Sequence, residues 1–98
     1  MSHRVVLSPR AAVDLEREAD AVASLNPRAA ERLIAEIESR CASLAEFPLR
    51  FRARDDLAPG LRMTIVRDWL IFYRADNEEV RIERILYGPR DIRPRDFG

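Results

Sequence analysis

LRMTIVRDWLIFYRADNEEVRIERILY, residues 61–87, contains three runs of strand length that are rich in Val, Ile, Tyr, Phe and Trp. Two short joints separate the runs, at residues 67–68 and 75–79. The second joint contains Asp and Asn, which tolerate the left-handed backbone that tight hairpins require. Three strands joined by short turns predict an antiparallel β-meander.

Two amphipathic helices are predicted ahead of this meander. Ser8-Pro9 and Asn26-Pro27 each place an N-cap residue before a proline that suits the first helical position. Apolar residues then recur at spacings of three and four, which predicts helices over residues 9–24 and 27–46. Pro48 is expected to stop the second helix.

The remaining segments complete the predicted architecture. Residues 4–7 are expected to form a short strand, and residues 48–59 a surface loop pinned by Phe51 and Leu57. The helical hairpin needs another layer to cover its apolar stripes, and the meander supplies one. The predicted fold is therefore α+β, with an N-terminal strand and a helical hairpin packed on an antiparallel β-meander, in a single domain spanning residues 1–98.

Composition excludes several classes of function. Net charge is zero although 35% of the residues are charged, which argues against strong nonspecific binding to nucleic acid. No apolar run reaches the length of a membrane span, and the N-terminus shows no signal peptide. The single cysteine, Cys41, lies on the apolar stripe of the second predicted helix and is expected in the core. A cytoplasmic location is the expectation.

The basic residues have an unusual identity and distribution. All 17 are arginines, and Arg74 and Arg84 fall in step with apolar residues on the last two predicted strands. A three-residue turn would bring these two onto one face of the sheet, and a two-residue turn would separate them. On the first helix, Asp14 is expected on the solvent side, at contact distance from Arg10 and Arg17.

Two interpretations of the strand arginines remain open. Each side chain could reach water from a strand end, with its stem on apolar neighbours. Alternatively the guanidinium groups could form a shallow surface for an anionic group, such as a phosphate backbone or an acidic helix of another protein. That surface would also include Tyr87, Arg90, Arg93 and Arg95.

The order of several short motifs resembles a known family. The motifs are LSPRAAVDLE, NPRAAERLIAEIESRCASLAEFP, LAPGLR, WLIFYR and VRIERILYGPRDI, and together they run nearly end to end. The chain resembles the ParE branch of the RelE/ParE superfamily of bacterial toxins. The resemblance implies a helical hairpin packed on an antiparallel sheet.

The resemblance also implies a function. It implies a toxin held inactive by a cognate ParD-like antitoxin, with DNA gyrase as the usual target; the RelE branch instead cuts mRNA on the ribosome. Arg62, Arg74, Arg84 and Tyr87 stand near positions that matter in the superfamily. Many relatives have His where this chain has Tyr87.

The residue inventory favours binding over catalysis. RNA cleavage needs a base and an acid, and groups with a pKa near 7 perform best. The chain has no Lys, and its one imidazole, His3, lies near the N-terminus. No Cys/His spacing suits a metal, and no cofactor is expected. A gyrase inhibitor acting by binding is the leading hypothesis. The alternatives are a ribosome-dependent mRNA endonuclease and a non-toxic remnant.

Two sets of partner-binding residues follow from this hypothesis. The antitoxin is expected to bind as a helix or extended segment with hydrophobic and acidic contacts, forming a hetero-oligomer. Direct sequence-specific binding to nucleic acid is not expected. The tail, residues 87–98, is expected to be mobile or docked. Target-binding residues are predicted to be Arg62, Arg74, Arg84, Tyr87, Arg90 and Arg93, and antitoxin-binding residues Trp69, Phe72, Arg74 and Arg84.

Overall fold

The computed structural model describes residues 2–98 and shows two helices packed against a five-stranded sheet. This arrangement confirms the predicted α+β fold and its helical hairpin. The elements are β1 (Arg4–Leu7), α1 (Pro9–Ala23), α2 (Pro27–Ser43), β2 (Arg52–Ala53), β3 (Arg62–Val66), β4 (Trp69–Ala75), β5 (Glu79–Tyr87) and a C-terminal 3-10 helix (Pro94–Phe97).

The strand order in the sheet is β1-β5-β4-β3-β2. Strands β3, β4 and β5 form the predicted antiparallel meander. The N-terminal strand β1 runs parallel to β5, from the pair Arg4 and Glu79 to the pair Leu7 and Ile82. The sheet is therefore mixed, because a parallel neighbour needs a long connection and the intervening helices and strands supply it.

Both helices begin where their caps were predicted. The Ser8 hydroxyl accepts a hydrogen bond from the Ala11 N–H, and the Asn26 side chain caps α2 in the same way. The second helix ends at Ser43, so the prediction of a helix to residue 46 was too long. Its last turn tightens, because the N–H of Leu44 bonds to the carbonyl three residues back.

The segment between α2 and β3 contains more structure than a loop. Strand β2 pairs with β3 through Arg52 opposite Met63, so the sheet has a strand that the sequence did not reveal. Phe51 packs against the core under the helices, and Leu57 belongs to a second core on the opposite side of the sheet. Both residues pin the segment as expected.

The face of the sheet turned away from the helices is also covered. Its buried cluster comprises Leu57, Leu61, Met63, Phe72 and Leu86, and Ile92 and Phe97 from the C-terminal segment pack against it. The ring of Phe97 meets that of Phe72 edge-on, with 4.8 Å between centroids. The C-terminal segment is therefore docked, which settles the two alternatives that the sequence left open.

A β-bulge in the β4–β5 pair decides where the strand arginines lie. Phe72 stands opposite Arg84, but the next pair is Tyr73 with Ile82, so Glu83 has no partner of its own. An extra residue in one strand shifts the alternation of side chains beyond it. Without the bulge, Arg84 would lie on the helix side of the sheet.

The bulge brings Arg74 and Arg84 to the same face. Arg74 stands opposite Arg81, and Arg84 stands opposite Phe72, which shares a face with Arg74. That face is the one covered by the C-terminal segment. The sequence left the register of β4 and β5 open, and the tertiary structure determines it.

Candidate partner-binding surfaces

Arg84 is buried in an internal network, with 7% of its surface exposed. Its Nε and Nη2 donate to the two carboxylate oxygens of Asp14 at 2.7 and 2.8 Å, and its Nη1 donates to the Asp96 carbonyl at 2.9 Å. The hydrogen bonds that Arg84 donates to Asp14 raise the pKa of Arg84 above its ordinary value. The fork is thus occupied within the chain and is closed to an external partner.

Asp14 lies at this point because of the path taken by the N-terminal strand. Strand β1 pairs with β5 only as far as Ile82, so the edge of β5 beyond that residue has no strand neighbour. Helix α1 passes along this edge, and Asp14 accepts the N–H of Ile85 at 3.0 Å. The predicted ion pair with Arg17 is present at 3.0 Å, but Asp14 is only 1% exposed and not on the solvent side as predicted.

Arg74 occupies a more open position on the same face. Its side chain is 35% exposed; its Nη1 donates to Glu83 at 2.6 Å, and its Nε donates to the Pro59 carbonyl at 3.1 Å. Arg81 donates to the other oxygen of Glu83 at 2.9 Å. The bulged Glu83 therefore joins two guanidinium groups that are both partly in water.

Arg90 and Arg93 extend this surface along the C-terminal segment. Arg90 pairs with Asp96 at 2.9 Å and Arg93 pairs with Asp91 at 2.8 Å. The N–H of Arg93 donates to the Asp96 carboxylate, which holds the pKa of that carboxyl below its usual range, with Arg90 and Arg84 adding to the effect. We call the exposed set the arginine face: Arg74, Arg81, Arg90 and Arg93.

Arg62 belongs to the helix side of the sheet. It stands opposite Tyr73 in the β3–β4 pair and donates from Nη1 to the carbonyls of Leu49 and Phe51, at 3.3 and 2.8 Å. The structure therefore separates Arg62 from the arginine face. Its polar atoms hold the chain before β2.

Tyr87 and Trp69 also lie on the helix side, at the other end of the sheet. The two residues stand opposite each other, with their ring centroids 5.3 Å apart, and Tyr87 is exposed. Trp69 is half-buried, and its indole N–H donates to Glu18 at 2.9 Å. Phe72, the other aromatic residue predicted to contact the antitoxin, is fully buried beneath the C-terminal segment.

Comparison with known proteins places the chain in a family. A family model described as the ParE toxin of the type II toxin-antitoxin system parDE matches residues 5–92. The chain belongs to this family. It is 38% identical over 90 residues to Toxin ParE3 of Caulobacter vibrioides, covering 91% of this chain and 90% of that protein.

A solved structure shares the fold of this ParE-family toxin. A chain of the chromosomal ParDE toxin-antitoxin system from P. aeruginosa superimposes with a TM-score of 0.76 at 21% identity, covering 88% of this chain and 96% of the other. At that level of identity the likeness concerns the fold alone. The family resemblance drawn from the sequence motifs is confirmed.

The toxin's imidazole is remote from its exposed tyrosine. The His3 ring nitrogen lies 2.9 Å from the carbonyl of Asp76, in the turn before β5 begins. Tyr87 ends that strand of nine residues. Eight rises of extended backbone make the separation about 26 Å. A general acid and base cannot act together across that distance.

Two further properties bear on the kind of site present. Among residues 2–98, no three His, Cys, Asp or Glu side chains are grouped so as to hold a metal ion. Across the same part of the chain, neither helix is long and apolar enough to cross a membrane.

Proposed function

We propose that this ParE-family toxin disables DNA gyrase by binding to it, and that a cognate ParD-like antitoxin neutralises the toxin by covering its surface. Membership of the ParE family supports the toxin assignment. The observation that carries binding over catalysis is the separation of His3 from Tyr87, because the groups exposed on the arginine face are guanidiniums that rarely transfer protons.

The arginine face, on the side of the sheet turned away from the helices, is the proposed contact for gyrase. Arg81 and Arg93 are the most exposed of the set, and their carboxylate partners, Glu83 and Asp91, come from the same chain. An acidic surface on the target can take over these pairings, since the planar fork binds carboxylates bidentately. Arg84 is left out of the proposed contact because it is buried, and Arg62 because it supports the chain before β2.

The antitoxin contact is proposed at the Trp69 end of the helix side. Trp69, Val22 and Leu33 line a cavity of about 230 Å³, together with Arg32 and Arg67. An apolar segment with acidic flanks suits this combination. Phe72 and Arg84 are left out of the proposed antitoxin contact, because both are buried in the free chain.

The test measures gyrase directly. Purified toxin is expected to inhibit supercoiling by gyrase, and induction without the antitoxin is expected to filament cells and induce the DNA-damage response. Replacing Arg81 and Arg93 together by Glu is expected to weaken the inhibition at least tenfold, because both positions would then repel an acidic target surface. Arg28→Glu with Arg32→Glu, at exposed helix positions away from this face, makes the same change in net charge and is the matched control.

One result would contradict the proposal. Cleavage of mRNA on translating ribosomes by the purified toxin, with supercoiling unaffected, would identify a ribosome-dependent nuclease instead. The cytoplasmic location stays a prediction that follows from the proposed target.

A further inference from the structure

The segment of residues 47–54, called here the 47–54 loop, leads into strand β2 and exposes two large apolar side chains that are separated by one residue. Phe47 is 63% exposed and Leu49 is 65% exposed, on either side of Pro48. Single exposed apolar residues are common on protein surfaces and need no explanation. Here two such residues flank one proline, and most of the surface of each is accessible to solvent.

Side chains of the sheet donate hydrogen bonds to the backbone of this loop. The Tyr73 hydroxyl donates to the Pro48 carbonyl at 2.8 Å, and Arg62 donates to the carbonyls of Leu49 and Phe51. Burial raises the pKa of Tyr73 above its ordinary value. Three backbone carbonyls are thus satisfied by the sheet. The apolar side chains are left in solvent on a preorganised backbone.

The loop also carries positive charge that the chain does not neutralise. Residues 47–54 contain three arginines and no acid. Arg54 pairs with Asp56, whereas Arg50 and Arg52 form no salt bridge with any of residues 2–98. On the arginine face, by contrast, each of the four guanidiniums has a carboxylate partner.

We propose that the 47–54 loop inserts into the target protein, with Phe47 and Leu49 entering an apolar pocket and Arg50 and Arg52 meeting an acidic rim. The inference rests on the proposed function, in which the toxin works by holding a folded target. Buried aromatic and aliphatic anchors with nearby arginines dominate the free energy of such interfaces. A preorganised loop loses little conformational entropy on docking.

Other occupants fit the loop less well. A single strand of nucleic acid needs aromatic faces and many cations, whereas Leu49 has no aromatic face and the loop contains only three arginines, one of them paired with Asp56. A disordered antitoxin segment gains more by lying in a groove or along a free strand edge. The cavity beside Trp69, lined also by Val22 and Leu33, offers such a groove.

The experiment compares two double variants of the full chain. Phe47→Ser with Leu49→Ser removes the proposed anchors, and Val13→Ser with Leu25→Ser removes two exposed apolar residues elsewhere, at 59% and 89% exposure. Gyrase supercoiling, growth after induction without antitoxin, copurification with the antitoxin and Tm are measured for both. The first variant is expected to weaken gyrase inhibition at least tenfold and to relieve growth arrest, with Tm and copurification unchanged. The second is expected to behave as the wild type.

The outcomes separate this inference from the proposed function. Equal gyrase inhibition by wild type and Phe47/Leu49 variant overturns the loop inference and leaves the gyrase proposal standing. Growth arrest without gyrase inhibition, relieved by the variant, overturns gyrase as target and supports the loop as the contact with another target protein. Loss of antitoxin copurification with growth arrest retained assigns the loop to the antitoxin and overturns the inference. A wild type that neither inhibits gyrase nor arrests growth overturns both.

Discussion

Arg84 and Arg74 lie on the same face of neighbouring strands, yet their surroundings differ. Helix α1 and the C-terminal segment close over Arg84, and its two carboxylate bonds and one carbonyl bond are out of water. Arg74 keeps about a third of its side chain in solvent and shares Glu83 with Arg81. Residue type and face are identical, so burial and the number of partners decide which arginine is structural and which is open to another protein.

The two arginines should therefore contribute differently to the free energy of unfolding. Breaking a buried ion pair leaves a charge without compensation in a medium that solvates it poorly. Breaking an exposed pair returns both groups to water at little cost. The four experiments below test this contrast.

The largest effect is expected from removing the carboxylate under Arg84. Asp14→Ala should lower the free energy of unfolding by about 3–5 kcal/mol, because Arg84 remains buried without its partner. It also leaves the Ile85 N–H without an acceptor. Urea unfolding followed by circular dichroism measures the change. The double variant Asp14→Leu with Arg84→Met should recover much of the loss. A loss below about 1 kcal/mol would show that the pair behaves like a surface contact.

A smaller loss in the free energy of unfolding is expected from weakening the packing of the C-terminal segment that lies over Arg84. Phe97→Ala removes the ring that packs on Phe72 and should cost about 1–2 kcal/mol, since Phe97 is only partly buried. Amide hydrogen exchange of Arg93 and of residues 95–97 should accelerate while that of Ile85 stays slow. Ile65→Ala, at an exposed apolar position, is the matched control. Unchanged exchange in the C-terminal segment would mean that the ring does not hold it.

The contribution of Asp96, in the C-terminal segment over Arg84, to stability should depend on pH. The pKa of Asp96 is lowered on folding, so its contribution to stability is present above the unfolded value of about 3.9 and is lost as pH falls through the folded value. Asp96→Asn should therefore be less stable than the wild type at pH 7, by less than Phe97→Ala. The gap between the two proteins should shrink below about pH 4. Thermal unfolding at several pH values tests this, and a constant gap would contradict it.

The smallest effect on stability is expected at the exposed arginine. Arg74→Ala should cost about 1 kcal/mol or less, because Arg81 still pairs with Glu83 and water solvates what remains. The same variant should weaken gyrase inhibition, since it lies on the arginine face. A stability loss as large as that of Asp14→Ala would place Arg74 among the structural residues and remove it from the proposed contact.

Local chemistry made much of the fold predictable. Ser8 and Asn26 predicted the first residues of the two helices, and each caps its helix as expected. Cys41 was predicted to be a core residue, and it is buried, with its pKa raised by burial to about 11. These features depend on neighbours within a few residues, so a pattern in the sequence contains them.

The candidate site was less predictable because its residues meet across the chain. Asp14 and Arg84 are 70 positions apart, and Asp14 has the spacing of a solvent-facing helix residue. The burial of Asp14 depends on α1 passing along an unpaired strand edge. A pattern of neighbouring residues in the sequence does not predict such a contact. The docking of Phe97 on Phe72 is a similar long-range contact. The loop before β2 carried a sequence signal, since Phe47 and Leu49 are apolar, but their exposure depends on how Arg62 and Tyr73 hold its carbonyls.

The amino-acid sequence by itself determined the helical hairpin, the three-stranded meander and the membership of the ParE family, because periodicity, caps and motif order act over short spans. Only the tertiary structure decided which arginines are exposed and which are buried. One extra residue in β5 sets the face of Arg84, and the approach of α1 and the C-terminal segment excludes water from it. A guanidinium group is equally able to bind an internal carboxylate or an external one, and access to water selects between the two.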